Sequence, residues 1–229
     1  MRFRSICKML LILSSLFYSV SIVAQQQDEE VNKDSIVVNP PVNVETLIGS
    51  RGVTFNMLLN KKFQSLPKVG FFSVVNYVGE WGEPDVKDRM IQGQLTYTVI
   101  KGLDVTAGFH YDPEFGVKPA AGLLYTWVKK DWVVVLNGRV DIMSKPAYEG
   151  MALVEYTPKL NDTFKLYTRA QGLYGYATEW KGHSRSYIQG RVGLSYKEFS
   201  FGAAANIDFY GPLKVNENSF GGFVTMLLF

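Results

Sequence analysis

The sequence has 229 residues, of which 47% are apolar and 14% aromatic, enough for one domain with a sizeable buried surface. Arg2, Arg4 and Lys8 account for the whole net charge of +3, because the other 21 basic residues balance 21 acidic ones. This balance excludes a basic nucleic-acid-binding surface, so we expect no nucleic-acid partner. Since Cys7 is the only cysteine, the chain beyond it has no disulfide, cysteine-ligated metal or thiol nucleophile.

Residues 1–24 have the pattern of a secretory signal peptide. A basic start is followed by an apolar run from Met9 to Val23, and Ala24 offers a cleavage point. A membrane anchor is the alternative, but four serines interrupt the run and it is short for a spanning helix. Residues 25–41 begin with glutamines and acids and cannot bury enough apolar area to fold, so they predict a flexible periplasmic tail.

From residue 42 to residue 229 the chain alternates between apolar and polar positions. In one such segment Ile91, Leu95 and Val99 share a face, while Gln92 and Gln94 share the opposite one. The segments are about ten residues long, the length of a tilted strand that crosses a bilayer. We predict twelve strands at 42–49, 53–60, 68–78, 90–100, 103–111, 117–128, 131–142, 147–157, 163–176, 186–196, 199–210 and 219–229. If residues 42–60 are instead a tail or plug, the number is ten.

The connections between these strands alternate between short turns, such as Lys101-Gly102 and Lys197-Glu198, and longer loops. Aromatic residues flank both kinds of connection, as in the two interfacial belts of membrane barrels. The pattern predicts an all-β, antiparallel, up-and-down transmembrane barrel over residues 42–229, with both chain ends on the periplasmic side. The alternative is a soluble β-sandwich whose aromatic residues fill a core.

The last strand ends in Phe229, after Phe220-Gly221-Gly222-Phe223. This ending resembles the recognition signal of bacterial outer-membrane β-barrel proteins, and the resemblance extends to residues 42–229 in architecture only. It implies an outer-membrane location, outer-membrane lipids around the barrel, periplasmic chaperones, and a barrel-assembly machinery that reads Phe229. The Ala24-Gln25 junction and its glutamines resemble secreted proteins of the Gram-negative Bacteroidetes.

The polar faces of the predicted strands would line the lumen of such a barrel. They carry both signs of charge, which indicates either a salt-bridge network that fills the lumen or a narrow pore for small polar solutes. Within this set we expect Glu155 to lie opposite Lys165 and Asp141 to face Glu149. The predicted lumen-lining residues are Gln92, Gln94, Asp104, Asn137, Arg139, Asp141, Glu149, Glu155, Lys165, Arg169, Arg191 and Asp208.

Histidines near carboxylates provide the candidates for catalysis. His110, Asp112 and Glu114 share one face of an extended chain, and His183 lies beside Ser184 in another loop. A histidine in such a place can activate water or a serine, which makes a rim hydrolase acting on lipid or peptide the alternative function. We favour a non-enzymatic barrel, either a narrow pore or a structural or surface-binding protein, and expect neither a cofactor nor a metal site.

Overall fold

The computed structural model describes residues 39–83 and 88–229. The predicted signal peptide and residues 25–38 of the predicted tail lie outside the described residues. At the end of that tail Asn39 is bound to the backbone of Lys62, since its side chain accepts a bond from the Lys62 amide at 2.6 Å and donates one to the Lys62 carbonyl at 2.9 Å.

The described residues form twelve antiparallel strands, each paired with its neighbours in sequence, and β1 pairs with β12 to close a barrel. The predicted twelve-strand barrel is therefore confirmed. The ten-strand alternative is wrong because β1 forms ladders with both β2 and β12, and the sandwich is wrong because one sheet closes on itself. The strands are β1 (Val42–Gly49), β2 (Gly52–Phe63), β3 (Leu66–Glu80), β4 (Asp88–Ile100), β5 (Leu103–Asp112), β6 (Gly116–Lys129), β7 (Trp132–Asp141), β8 (Ala147–Tyr156), β9 (Phe164–Ala177), β10 (Gly182–Tyr196), β11 (Phe199–Tyr210) and β12 (Val215–Leu228).

The hairpin of β2 and β3 is longer than the sequence predicted. Lys61 and Lys62 resemble the start of a turn, but they continue the ladder opposite Phe71 and Gly70. A lysine is compatible with a strand when its ammonium has a partner, and the Lys62 Nζ lies 2.9 Å from an Asp104 carboxylate oxygen. The ion pair between Lys62 and Asp104 therefore accompanies an extension of this hairpin beyond the residues that its apolar alternation predicts.

The two ends of the barrel differ in their connections. At one end, called the turn end, β2–β3, β4–β5, β6–β7 and β10–β11 are joined by two residues each. Lys130 and Lys197 adopt positive φ there, as tight hairpin turns require. At the other end, called the loop end, five of the six connections, the partly described β3–β4 loop among them, have three to seven residues.

Successive residues of each strand point alternately out of the barrel and into it. In β4, Leu95 is 57% exposed, whereas its neighbours Gln94 and Thr96 are buried. In β10, Ile188 and Val192 are exposed on either side of the buried Gln189 and Arg191. The outer surface is therefore apolar and the interior, here called the lumen, is largely polar, the reverse of a water-soluble protein.

Aromatic pairs lie at both ends of the barrel. At the turn end Trp132 stacks on Tyr156 with ring centroids 4.2 Å apart, and Phe164 lies 5.6 Å from Tyr196. At the loop end the rings of Phe115 and Trp180 are 5.9 Å apart. No helix among the described residues is long and apolar enough to span a membrane.

The seam between β1 and β12 can be tested by cross-linking. Thr46 and Val224 are directly opposite each other in the ladder, and facing residues of antiparallel strands lie within disulfide reach. We expect the pair Thr46→Cys with Val224→Cys to form an intramolecular disulfide on mild oxidation, visible as a shift on a non-reducing gel. The pair Thr46→Cys with Phe220→Cys is the control, because Phe220 lies opposite Ala205 instead; equal cross-linking of both pairs would contradict the register.

Candidate functional site

A buried ion cluster crosses the middle of the lumen. The Glu45 carboxylate on β1 has no exposed surface, and one of its oxygens lies 2.5 Å from Nη2 of Arg169 on β9. Its other oxygen accepts bonds from Nε and Nη2 of Arg191 on β10, at 3.1 and 2.8 Å. Thr225 and Asn56 also donate to this carboxylate, at 3.3 and 3.2 Å. Because β1 is three strands from β10 and four from β9, these bonds join separate walls.

Apolar side chains fill the lumen beside this cluster. Phe72 on β3 and Leu124 on β6 are fully buried. They belong to a cluster with residues of β7 to β10, namely Val135, Met151, Leu153, Leu173 and Tyr187. Leu47 and Phe223 form a second cluster with Tyr167. Arg191 and Phe72 thus lie buried inside the barrel, and we call the side chains of these two clusters and of the ion cluster the buried layer.

A cavity of about 880 Å³ lies between this buried layer and the loop end. Its lining reaches down to Val74 and Gln189, each two residues from a fully buried side chain of the buried layer. We call this cavity the vestibule. Its charged lining includes Arg51, Asp88, His110, Lys118, Arg139 and Arg185.

One wall of the vestibule is organised around Arg139. This guanidinium lies 3.0 Å from Glu149 and 3.1 Å from Asp141, and it donates to the Gln92 side-chain oxygen at 2.7 Å. The His110 Nδ1 atom lies 2.9 Å from the other Asp141 oxygen, which is also 3.4 Å from the Lys118 ammonium. Two or more groups of opposite charge thus surround each central member, which is what buried charges require.

A second network spans the mouth of the vestibule. Arg185 lies 3.1 Å from Asp88 and 3.2 Å from Asp208. The strands of Arg185 and Asp88, β10 and β4, are six apart in either direction around the ring, so this ion pair joins opposite walls. The Tyr210 hydroxyl donates to Asp88 and accepts a bond from Arg51 at 3.0 Å.

Arg51 completes this mouth network from the β1–β2 turn. Its guanidinium lies 2.6 Å from Glu80 and also contacts Glu217. Burial disfavours the charged form, but the hydrogen bonds to Tyr210 and Glu80 outweigh it and raise the pKa of Arg51 above its usual value. The mouth is therefore held by a guanidinium that stays charged.

Two expected cross-strand neighbours are wrong. Glu149 lies opposite Arg139, and Asp141 opposite Ala147, because β7 and β8 pair two residues away from the expected register. Glu155 lies opposite Arg169 and accepts a bond from the Tyr167 hydroxyl at 3.0 Å. Lys165 is exposed at the turn end and pairs in the ladder with Ser195. The irregular connection at residues 157–163 moves β9 relative to the simple hairpin that the sequence suggested.

The other predicted lumen residues point inward and are buried. Asp104 accepts bonds from Lys62 and Thr98, at 2.9 and 2.6 Å, and Gln92 donates to Gln94 at 2.8 Å. Buried too are Asn137, Arg139, Asp141, Arg169, Arg191 and Asp208.

Sequence reasoning missed several central members of these networks. Glu45 and Lys118 occupy inward positions of β1 and β6, so alternation alone identifies them once those strands are accepted. Arg51 lies in a turn, and Asp88 begins a strand after a loop. At such positions alternation does not predict which way a side chain points. Their role follows only from the closure of the barrel, which brings β1, β4 and β10 around one cavity.

The structure does not bring His110, Asp112 and Glu114 together. His110 pairs with Asp141 instead, while Asp112 accepts bonds from the Glu114 and Phe115 amides, at 3.0 and 2.8 Å, and so caps its turn. His183 contacts Ser186 at 2.9 Å, not Ser184. Among the described residues no group of three or more histidines, cysteines and carboxylates is placed to hold a metal ion.

Removing the central carboxylate should strongly destabilise the barrel. Glu45→Gln keeps the size of the side chain but leaves Arg169 and Arg191 buried without a counter-charge. We expect a loss of about 3–5 kcal/mol in the free energy of unfolding, measured by urea titration of the folded barrel. Glu198→Gln, in an exposed two-residue turn, is the control and should change stability by less than about 0.5 kcal/mol. Equal effects of the two variants would mean that the Glu45 cluster is not a buried structural element.

Comparison with known proteins shows no family for this chain. No family model and no curated protein matches the chain. Among solved structures, the NanC porin is 11% identical, with a TM-score of 0.48 over 82% of this chain and 100% of that one. OmpT, an outer-membrane protein of Vibrio cholerae, is 12% identical, with a TM-score of 0.37 over 77% and 65%. A mutant porin of Rh. blastica is 11% identical, with a TM-score of 0.26 over 85% and 100%.

Proposed function

We propose that the protein is an integral outer-membrane barrel whose lumen is closed at rest and takes no part in catalysis, and whose vestibule receives small polar solutes. The observation that carries this proposal is the buried layer of Glu45, Arg169, Arg191 and Phe72 beneath an open, charged cavity. A continuous pore would leave such side chains accessible to water along its length, whereas these are buried.

The outer surface supports the membrane location. Large apolar side chains cover it on every strand, among them Leu95, Leu123, Leu136, Ile188, Val192 and Phe201, each between 44 and 64% exposed. A continuous apolar band of this kind is costly in water and favourable in lipid. Together with the predicted signal peptide, it supports insertion into the outer membrane of a Gram-negative bacterium, with membrane lipids as its surroundings.

The C-terminus supports assembly by the barrel-assembly machinery. Phe229 is 88% exposed and lies one residue beyond β12, the strand that closes the barrel against β1. An aromatic side chain in that position is accessible to a receptor before the seam forms. We therefore propose Phe229 as the residue that the assembly machinery reads, after delivery by periplasmic chaperones.

The balance of charge in the vestibule supports a solute class. Arg51, Lys118, Arg139 and Arg185 each contact at least one carboxylate, so the described walls present no ring of one sign. Selection by ion charge relies on such a ring. The lining therefore fits small polar molecules that are uncharged or zwitterionic, which can replace single hydrogen bonds in these networks.

The membrane location predicts opposite effects of two changes at one outward position. Leu95→Arg should destabilise the barrel by about 2–4 kcal/mol in lipid vesicles, since it places a charge in the apolar band. Leu95→Phe should change stability little, because it remains apolar. Urea unfolding of the purified barrel in vesicles measures both. If Leu95→Arg is as stable as Leu95→Phe, or the wild-type chain does not insert at all, this surface does not face lipid.

The closed lumen predicts a low conductance. In planar lipid bilayers the wild-type barrel should show no steady single-channel current. The double variant Phe72→Ala with Arg191→Ala should show one, since it removes two large buried side chains. Phe201→Ala is the control, because Phe201 points outward and is 44% exposed. A steady current through the wild type would contradict the closed barrel and support the alternative of a narrow pore.

A further inference from the structure

A serine and a histidine form a pair on the outer face of the barrel, close to the loop end. His183 lies opposite Tyr176 in the ladder, and Ser186 lies opposite Tyr174. Both tyrosines point out of the barrel, and Tyr174 is 54% exposed, so the pair faces outward as well. A bulge between His183 and Ser186 shifts the register and brings the two side chains to the same side of β10.

The hydrogen bonds of His183 fix its tautomer. Its Nδ1 atom lies 2.7 Å from the carbonyl oxygen of Gly211, which can only accept, so Nδ1 carries the proton. The Nε2 atom, 2.9 Å from the Ser186 hydroxyl, is therefore free to accept a proton. The Tyr174 ring packs edge-on against the imidazole, with centroids 5.6 Å apart. A serine bonded to an oriented histidine base is the arrangement of an activated nucleophile.

An apolar groove lies on the same outer face, nearer the turn end. It has a volume of about 560 Å³, and small side chains form its floor: Ala170, Gly190, Ala203 and Ala205. Val154 and Val192 flank it. Ser186, Ile188 and Gly190 occupy successive outward positions of β10, which places the groove about 13 Å below the serine.

We propose that Ser186 and His183 hydrolyse a long-chain acyl ester of a membrane lipid, with the acyl chain in the apolar groove. This inference rests on the membrane location proposed above. Ser186 is only partly buried and stands beside the outward Tyr174, at the level where lipid esters meet water, while His183 itself is buried. A narrow apolar groove fits an acyl chain and does not fit the hydrogen-bonding backbone of a peptide.

The chemistry proceeds in two balanced steps. The Ser186 oxygen attacks the ester carbonyl carbon while His183 Nε2 takes the hydroxyl proton. The ester C–O bond then breaks, and the departing alcohol receives that proton from His183. In the second step His183 takes a proton from water, the resulting hydroxide attacks the acyl-serine, and the fatty acid leaves as Ser186 recovers its proton. The Gly211 carbonyl keeps the imidazole oriented throughout.

A long-chain alkyl fluorophosphonate tests this site without knowledge of the lipid headgroup. The folded barrel in phosphatidylethanolamine vesicles should be labelled at Ser186, identified by mass spectrometry. Ser186→Ala should lose the labelling, and His183→Ala should reduce its rate by about 100-fold or more. Ser195→Ala, a serine of the same strand whose hydroxyl contacts only another serine, should label like the wild type.

The groove gives a second measurement. Gly190→Leu should slow labelling by the long-chain reagent several-fold and leave labelling by a short-chain reagent unchanged. Heat-dependent migration on gels shows whether each sample is a folded barrel in the membrane, so failed insertion would overturn the membrane location and this proposal together. A folded, inserted wild type that remains unlabelled, or labelling that persists in Ser186→Ala, would overturn the hydrolytic site alone.

Discussion

Closure of the sheet between β1 and β12 is the constraint on which the rest of the molecule depends. Each backbone group of an open edge would lack a partner in an apolar surrounding, so the first and last strands must meet. Eight residues of β1, from Val42 to Gly49, pair with β12 and thereby close the ring at twelve strands.

The lumen inside this ring is filled by charged as well as apolar side chains. Long guanidinium side chains such as Arg169 and Arg191 cross a lumen that short apolar chains would leave unfilled, and Glu45 forms an ion pair with each of them. Burying an ion pair adds little to stability by itself, but breaking one is expensive. The cluster therefore favours the single register in which all its members meet.

The sequence predicted the strands because alternation is a local property. Leu95 and Gln94 are assigned to opposite faces by their neighbours in sequence, and every predicted strand is present. Contacts across the lumen are not local: nothing near Arg185 indicates that Asp88, on the opposite wall, is its partner. The bulge that brings Ser186 to His183 could not be predicted either, since strict alternation places residues three apart on opposite faces of a strand. The register between β8 and β9 was predicted wrongly because local alternation does not reveal the irregular connection at residues 157–163.

The ion pair between Arg185 and Asp88 also has a mechanical consequence. The pair acts as a tie between opposite strands and resists any change that moves β4 and β10 apart. Deeper in the lumen, Glu45 connects β1 to β9 and β10 in the same way. Any molecule that binds Arg185 or Asp88 in place of its partner would break this ion pair, so the cross-section of the mouth would change with its occupant.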